Sequence, residues 1–263
     1  MSLNRGVIPP DRDDDLYIGW APAPNVDRRF LFAAMPLLLG VTTGLSWLSA
    51  KNLGDPGAGK WETGKVETVK GALVKAPYPM IRVTDTSAPF GLRTWLVVAQ
   101  GKCTGKLAFA EFENQVVTAR GALVARKDRR MLEVPIALNE WLEADEPAPK
   151  ALSDPQTESL GSARLSGMIM DSKCFFGVMR PSRGKTHKEC ASLCIRGGIP
   201  PSFWARDDKG RETVLLMTDE NGGALRPEEI IPFVADPVSA DGEIVRVGDL
   251  LQFRANAGAY SRV

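Results

Sequence analysis

Hydrophobic positions follow three regimes along the chain. Residues 30–50 read FLFAAMPLLLGVTTGLSWLSA and contain no charged side chain. At helical rise this run is long enough to cross a hydrocarbon core. Pro36, Gly40 and Gly44 are tolerated in a membrane helix, and Trp47 lies near the end, where an amphipathic ring meets the interface. Before this run lies a polar tail. From about Trp61 onward the pattern becomes short β-branched alternations punctuated by glycine and proline, which predicts strands and turns.

A cleaved leader fits the apolar run poorly, because an acidic, proline-containing tail precedes it. Leu48 also stands where a cleavage site after Ala50 wants a small residue. Arg28-Arg29-Phe30-Leu31 lacks the spacer of a twin-arginine signal, and a buried core helix would be oddly free of polar faces. The expectation is an uncleaved transmembrane helix over 30–50, with residues 1–29 as a cytoplasmic tail. Flanking positive charge is nearly balanced: Arg28 and Arg29 on one side, Lys51, Lys60 and Lys65 on the other. The arginines abut the helix, and large following domains translocate with little regard to charge. The C-terminal part is therefore expected in the periplasm, the protein being single-pass in a bacterial inner membrane.

Residues 61–143 contain an internal echo. Thr68-Val-Lys-Gly-Ala-Leu-Val74 is similar to Thr118-Ala-Arg-Gly-Ala-Leu-Val124, and each precedes a second apolar alternation, at 80–83 and 131–134. A glycine inside a strand lets it bend sharply at a barrel corner. Residues 144–162 are acidic and then rich in proline and serine, and read as a linker. Residues 163–263 open on another strand-glycine-strand, Leu165-Ser-Gly-Met-Ile-Met170, and close on a hairpin around Gly248-Asp249. The expected fold class is mainly β: the transmembrane helix followed by two small OB-like β-barrel domains, 61–143 and 163–263. The layout resembles the membrane-anchored haem chaperones of cytochrome c maturation. The haem-attaching histidine of that family has no counterpart here, because the only histidine is His187. Haem chemistry is therefore not carried over.

Composition changes this picture little. The 263 residues carry a net charge of +1 with acids and bases intermixed, and no basic stripe interleaved with aromatics, which argues against nucleic acid. In the tail, Tyr17, Ile18 and Trp20 are costly to leave in water. Residues 16–24 (LYIGWAPAP) are therefore read as a docking segment for other membrane subunits, beside the helix itself and the lipid bilayer.

Candidate chemistry concentrates in residues 171–201. Cys174, His187, Cys190 and Cys194 include the sole histidine and all but one of the four cysteines. Residues 187–196 (HKECASLCIR) predict a short helix ended by Gly197-Gly198, with Pro200-Pro201 blocking continuation. Positions 187, 190 and 194 then share one face. Two readings stand. Outside the cytoplasm the ordinary use of cysteine is a disulfide. Helical spacing keeps Cys190 and Cys194 too far apart to pair, so Cys174 would pair with one of them. Alternatively, three thiolates and an imidazole suit zinc, copper or an iron–sulfur centre. Met168, Met170 and Met179 could serve copper, although methionine is more often core. Cys103, inside Gly101-Lys-Cys-Thr-Gly105, is the remaining thiol.

Other motifs fail. Gly184-Lys-Thr186 ends like a phosphate-binding loop, but Met179 stands where the earlier glycine is needed. Ser182 and Ser192 lie near His187 without a glycine elbow, which leaves a hydrolase triad without support. Lys173, Arg180, Arg183, Lys185 and Lys188 make the loop locally basic, a face that could meet an acidic partner or an anionic headgroup.

The stretch KCFFG, followed by GKTHKECA, CI and GGIPP, resembles a motif of uncharacterised bacterial proteins with a single membrane anchor. The LYIGWAPAP tail is similar to the same group. The resemblance implies OB-like domains behind an anchor and no particular activity. With no catalytic acid/base constellation in view, the expectation is a non-enzymatic accessory or assembly subunit of a bacterial membrane complex of redox or electron-transfer type. The alternative is a periplasmic metal- or cofactor-binding protein using Cys174, His187, Cys190 and Cys194.

Overall fold

The computed structural model describes residues 16–18, 21–23, 25–52, 59–104, 110–135, 141–177, 179, 181–206 and 211–263. Trp20, Gly105 and Arg180 lie outside the described residues. The chain divides into an N-terminal unit, Met1–Asp55, and a larger unit, Pro56–Val263.

In the N-terminal unit, β1 (Leu16–Ile18) pairs antiparallel with β2 (Ala21–Ala23). Helix α1 (Asn25–Asn52) follows, with Asp27 in its first turn and Lys51 in its last, both favourable to the helix dipole. Its span Asn25–Lys51 is long and apolar enough to cross a membrane, and none of its most apolar window is buried within the protein. Thr42 satisfies its own hydroxyl on the carbonyl of Leu38, one turn back, so it presents no free polar group.

The larger unit is mainly β and holds two sheets with one pairing scheme. In the first, β3 (Gly59–Val74), β4 (Met80–Thr84) and β5 (Leu92–Ala99) form an antiparallel meander. They are followed by β6 (Gln115–Arg126) and β7 (Arg129–Val134). β5 runs parallel to β7, β7 pairs with β6, and β6 returns to β3, so the pairing closes on its starting strand. β8 (Leu142–Pro147) lies on the outer side of β6, and α2 (Lys150–Ser153) follows it. The residues expected as a linker thus include strand and helix. The Arg82 guanidinium binds the carbonyls of Leu152 and Ser153.

The second sheet repeats the scheme. β9 (Thr157–Asp171), β10 (Pro201–Arg206) and β11 (Glu212–Thr218) form the meander. Between β9 and β10 come α3 (Ser172–Phe176) and α4 (Lys188–Arg196). After β11 come α5 (Pro227–Ile230), β12 (Pro237–Val247), β13 (Leu250–Arg254) and β14 (Tyr260–Arg262). β11 is parallel to β13, β13 pairs with β12, β12 returns to β9, and β14 edges β12.

The two echoing sequence segments lie side by side in the first sheet. Val69 faces Ala119 and Gly71 faces Val117 across the β3–β6 ladder. The glycines matter because another strand's backbone comes close. A Cβ on Gly71 would sit 2.4 Å from the Arg82 carbonyl oxygen, one on Gly121 2.5 Å from that of Glu133, and one on Gly167 2.0 Å from that of Trp204.

Each sheet encloses its own apolar core, and a third core lies between them. Val69, Leu73, Ile81, Val97, Leu132 and Val134 fill the first sheet; Ile169, Phe203, Met217, Val238 and Phe253 belong to the second. Met80, Leu96, Val98 and Met131 meet Met170, Phe175, Phe176, Leu216 and Leu250 between the sheets. Successive residues of a strand point to opposite faces. Leu96 and Val98 therefore face the second sheet while Val97 and Ala99 face inward, which explains why the run Leu96-Val-Val-Ala99 is apolar throughout.

Candidate metal centre

The junction between the sheets carries polar groups as well as apolar ones. Asp171, Ser172, Lys173 and Cys174 are all buried, at the end of β9 and the start of α3. Asp171 caps α3: its Oδ1 accepts from the Cys174 backbone N–H at 2.8 Å. The Ser172 hydroxyl is satisfied by the Pro200 carbonyl and Ser202 Oγ, both at 2.7 Å. Cys174 is thereby held on a short helix pinned at both backbone and side chain.

His187 ends a 3-10 turn leading into α4, and Cys190 and Cys194 follow on α4. The helix expected over 187–196 is thus present with its first turn tightened. Its burial is one-sided: Ala191, Cys194 and Ile195 are buried and Leu193 is exposed. Gly197 is the end of the helix for a steric reason too. A Cβ there would lie 1.7 Å from the Lys102 carbonyl oxygen of the first sheet.

Cys174, His187 and Cys190 bring their ligand atoms within 4.8 Å of one another, as do Asp171, Cys174 and Cys194. Cys174 is common to both groups, so the predicted site residues converge around it. The expected disulfide is not present: Cys103, Cys174, Cys190 and Cys194 are all free thiols. Cys103 Sγ instead contacts the Gln100 carbonyl at 3.7 Å.

Three participants have no signal in residues 174–194. The first is Asp171, whose Oδ2 lies 3.1 Å from His187 Nε2. A carboxylate at one ring nitrogen fixes the tautomer that leaves the other, Nδ1, free to ligate. The second is Lys102, on the loop after β5. Its ammonium is 2.7 Å from Cys190 Sγ and 3.8 Å from Cys194 Sγ. The third is Lys173, which anchors that loop through the carbonyls of Ala99 and Gly101 at 2.7 and 2.8 Å. Gly101, immediately before Lys102 and at φ 74°, is the one sequence signal of a turn presenting it.

The electrostatics separate the thiols. The hydrogen bond to Cys194, burial and nearby Asp171 push the Cys174 thiol far up. The hydrogen bond from Cys174, aided by Lys102, holds Cys194 down against its own burial. The bond to Cys190 raises Lys102 and keeps it cationic. Soft sulfur ligands and an oriented imidazole make a site able to hold a soft or borderline metal ion.

No family model matches the chain, no curated protein matches it, and no solved structure matches it.

Proposed function

We propose that this protein binds a single thiophilic metal ion, zinc or copper(I), through Cys174, His187, Cys190 and Cys194, in a periplasmic part held to a bacterial inner membrane by α1. The observation that carries the reading is the convergence of sulfur and imidazole atoms within 4.8 Å around Cys174. Two sulfurs bound to one ion at about 2.3 Å each lie no more than about 4.6 Å apart, so small side-chain adjustments suffice for a mononuclear site. An iron–sulfur cluster would need wider spacing between its thiolates.

On this reading the two sheets are OB-like barrels, supported by the shared 1-2-3-5-4-1 pairing order with a parallel third and fifth strand. Membrane insertion is supported by the length and apolar character of α1. That exposed helix also supports a second role, as an accessory or assembly subunit of a membrane redox complex contacting partners through α1 and residues 16–24.

Elemental analysis of the full chain, purified reduced and anaerobically in mild detergent, tests the metal reading. One zinc or copper per chain, lost in Cys174→Ser, is the expected result. A reduced wild-type chain that takes up neither metal overturns it. Co-purification of stoichiometric membrane partners tests the accessory role, which a lone monomer would sink.

A further inference from the structure

Metal ligation does not use the contact between Lys102 and Cys190. Nζ and Sγ are 2.7 Å apart. A charge-assisted hydrogen bond to a carboxylate oxygen spans about 2.7–2.9 Å, and sulfur is a larger atom than oxygen. The contact is therefore closer than an ammonium–sulfur hydrogen bond needs, yet wider than a direct N–S bond. It is the spacing that one bridging atom spans. By contrast, the 3.8 Å from Nζ to Cys194 Sγ is an ordinary sulfur contact.

The pair is built rather than incidental. Ahead of Lys102, Lys173 grips the carbonyls of Ala99 and Gly101. Behind it, the Thr104 N–H donates to the Gly197 carbonyl at 2.7 Å, at the end of the helix that carries Cys190. Lys102 is exposed and Cys190 half-buried, whereas Cys174 and Cys194 are buried. Of these three thiols a dissolved oxidant meets Cys190 first, and oxidation follows exposure.

We propose that Lys102 and Cys190 form an oxidative modification site, in which dioxygen joins them through one oxygen atom as Nζ–O–Sγ. The amine nitrogen and the thiol sulfur each give up two electrons. Dioxygen takes all four: one oxygen becomes the bridge, and the other leaves as water with the protons released from nitrogen and sulfur. Reduction reverses the step, four thiols becoming two disulfides while amine, thiol and water are regenerated. The cross-link stands on the contact alone. Its consequence, that oxidation withdraws Cys190 from metal binding, rests on the metal reading above.

The test uses the full chain in detergent, exposed to air without reductant, digested without reduction and examined by mass spectrometry. Expected is a joined pair of peptides holding Lys102 and Cys190, with one oxygen more and two hydrogens fewer than the separate peptides together. It should vanish after thiol treatment and be absent from Lys102→Arg, which keeps the charge but has no primary amine. Finding only separate peptides in wild type, or a joined pair without the extra oxygen, overturns the proposal. Zinc uptake by the same air-exposed samples tests the consequence: wild type should lose capacity that Lys102→Arg keeps, and equal loss in both overturns it. A joined pair in a chain that binds no zinc even when reduced upholds the cross-link and fails the metal reading alone.

Discussion

Lys173 Nζ lies 2.6 Å from Glu133 Oε1, and neither side chain reaches solvent appreciably. Lys173 belongs to the second sheet's α3 and Glu133 to β7 of the first. The pair is completed by Trp61, whose Nε1 donates to Glu133 Oε2 at 2.8 Å and whose ring lies 5.3 Å from the ammonium. With the Ala99 and Gly101 carbonyls also engaged, all three ammonium protons have partners. One charged contact thus ties the two sheets together and sets the loop that presents Lys102.

Removing one member of this pair strands the other. Lys173→Met leaves the Glu133 carboxylate buried without its cation, and breaking a buried pair from one side costs about 3–5 kcal/mol. The double variant Lys173→Met/Glu133→Leu removes both charges and should recover much of that loss. Denaturant unfolding of the full chain in detergent measures both. A single variant as stable as wild type would show that the pair does not carry the junction.

Tyr78 makes a second tie, and it titrates. Its hydroxyl donates to the Met217 carbonyl at 3.0 Å and accepts from the Leu225 N–H at 3.2 Å. Burial pushes its ionisation well above the usual phenol range, with the Leu225 N–H pulling the other way. Burial raises Tyr260 likewise. Above pH about 10 the unfolded chain loses phenolic protons that the folded chain keeps. The unfolded state then binds fewer protons, so stability falls as pH rises. Tyr78→Phe should cost about 1–3 kcal/mol at neutral pH through the unsatisfied Met217 and Leu225 groups. It should also flatten the alkaline decline, read from melting temperature against pH.

The mid-strand glycines give a graded test of the closed pairing. A Cβ on Gly167 would meet the Trp204 carbonyl oxygen at 2.0 Å and the Phe203 ring at 2.9 Å, both fixed parts of the sheet. Gly167→Ala is therefore expected to cost at least about 1–3 kcal/mol, as overpacking does. Gly64 has nothing within 4 Å of its would-be Cβ, so Gly64→Ala should lie within about 0.5 kcal/mol of wild type. Equal effects at the two positions would contradict the close strand approach.

What the sequence disclosed depended on range. The apolar run at 30–50 is local, and it lies inside α1. The glycines at 71, 121 and 167 mark close strand approaches because a missing side chain in a strand leaves a visible gap in the pattern. Placing His187 and Cys190 on one face follows from helical spacing alone. Lys102 was hidden, because its approach to Cys190 depends on how two sheets pack. Glu133 was hidden for a similar reason: on β7 it shares the outward face with Met131, a face that would be wet without the second sheet. The expected disulfide came from the habits of a compartment rather than from geometry, and the four cysteines are free.

Asp171 offers the sharpest probe of the metal site, because one carboxylate does two separable jobs. Oδ1 accepts the Cys174 N–H and Oδ2 faces His187 Nε2. Asp171→Asn can keep the first contact by turning its carbonyl oxygen toward Cys174. Its NH2 then faces Nε2, which must become the acceptor, and the ring proton moves to Nδ1. That tautomer has no lone pair on Nδ1, the nitrogen that would ligate on the metal reading. Loss of such a supporting partner typically costs 10–100-fold in metal affinity, so zinc should bind about that much more weakly to Asp171→Asn in competition with a chromophoric chelator. The cap is preserved, so the melting temperature of the metal-free protein should move little. An unchanged zinc affinity would mean that His187 does not ligate through Nδ1, and a collapse in stability without metal would mean that Asp171 acts as the cap alone.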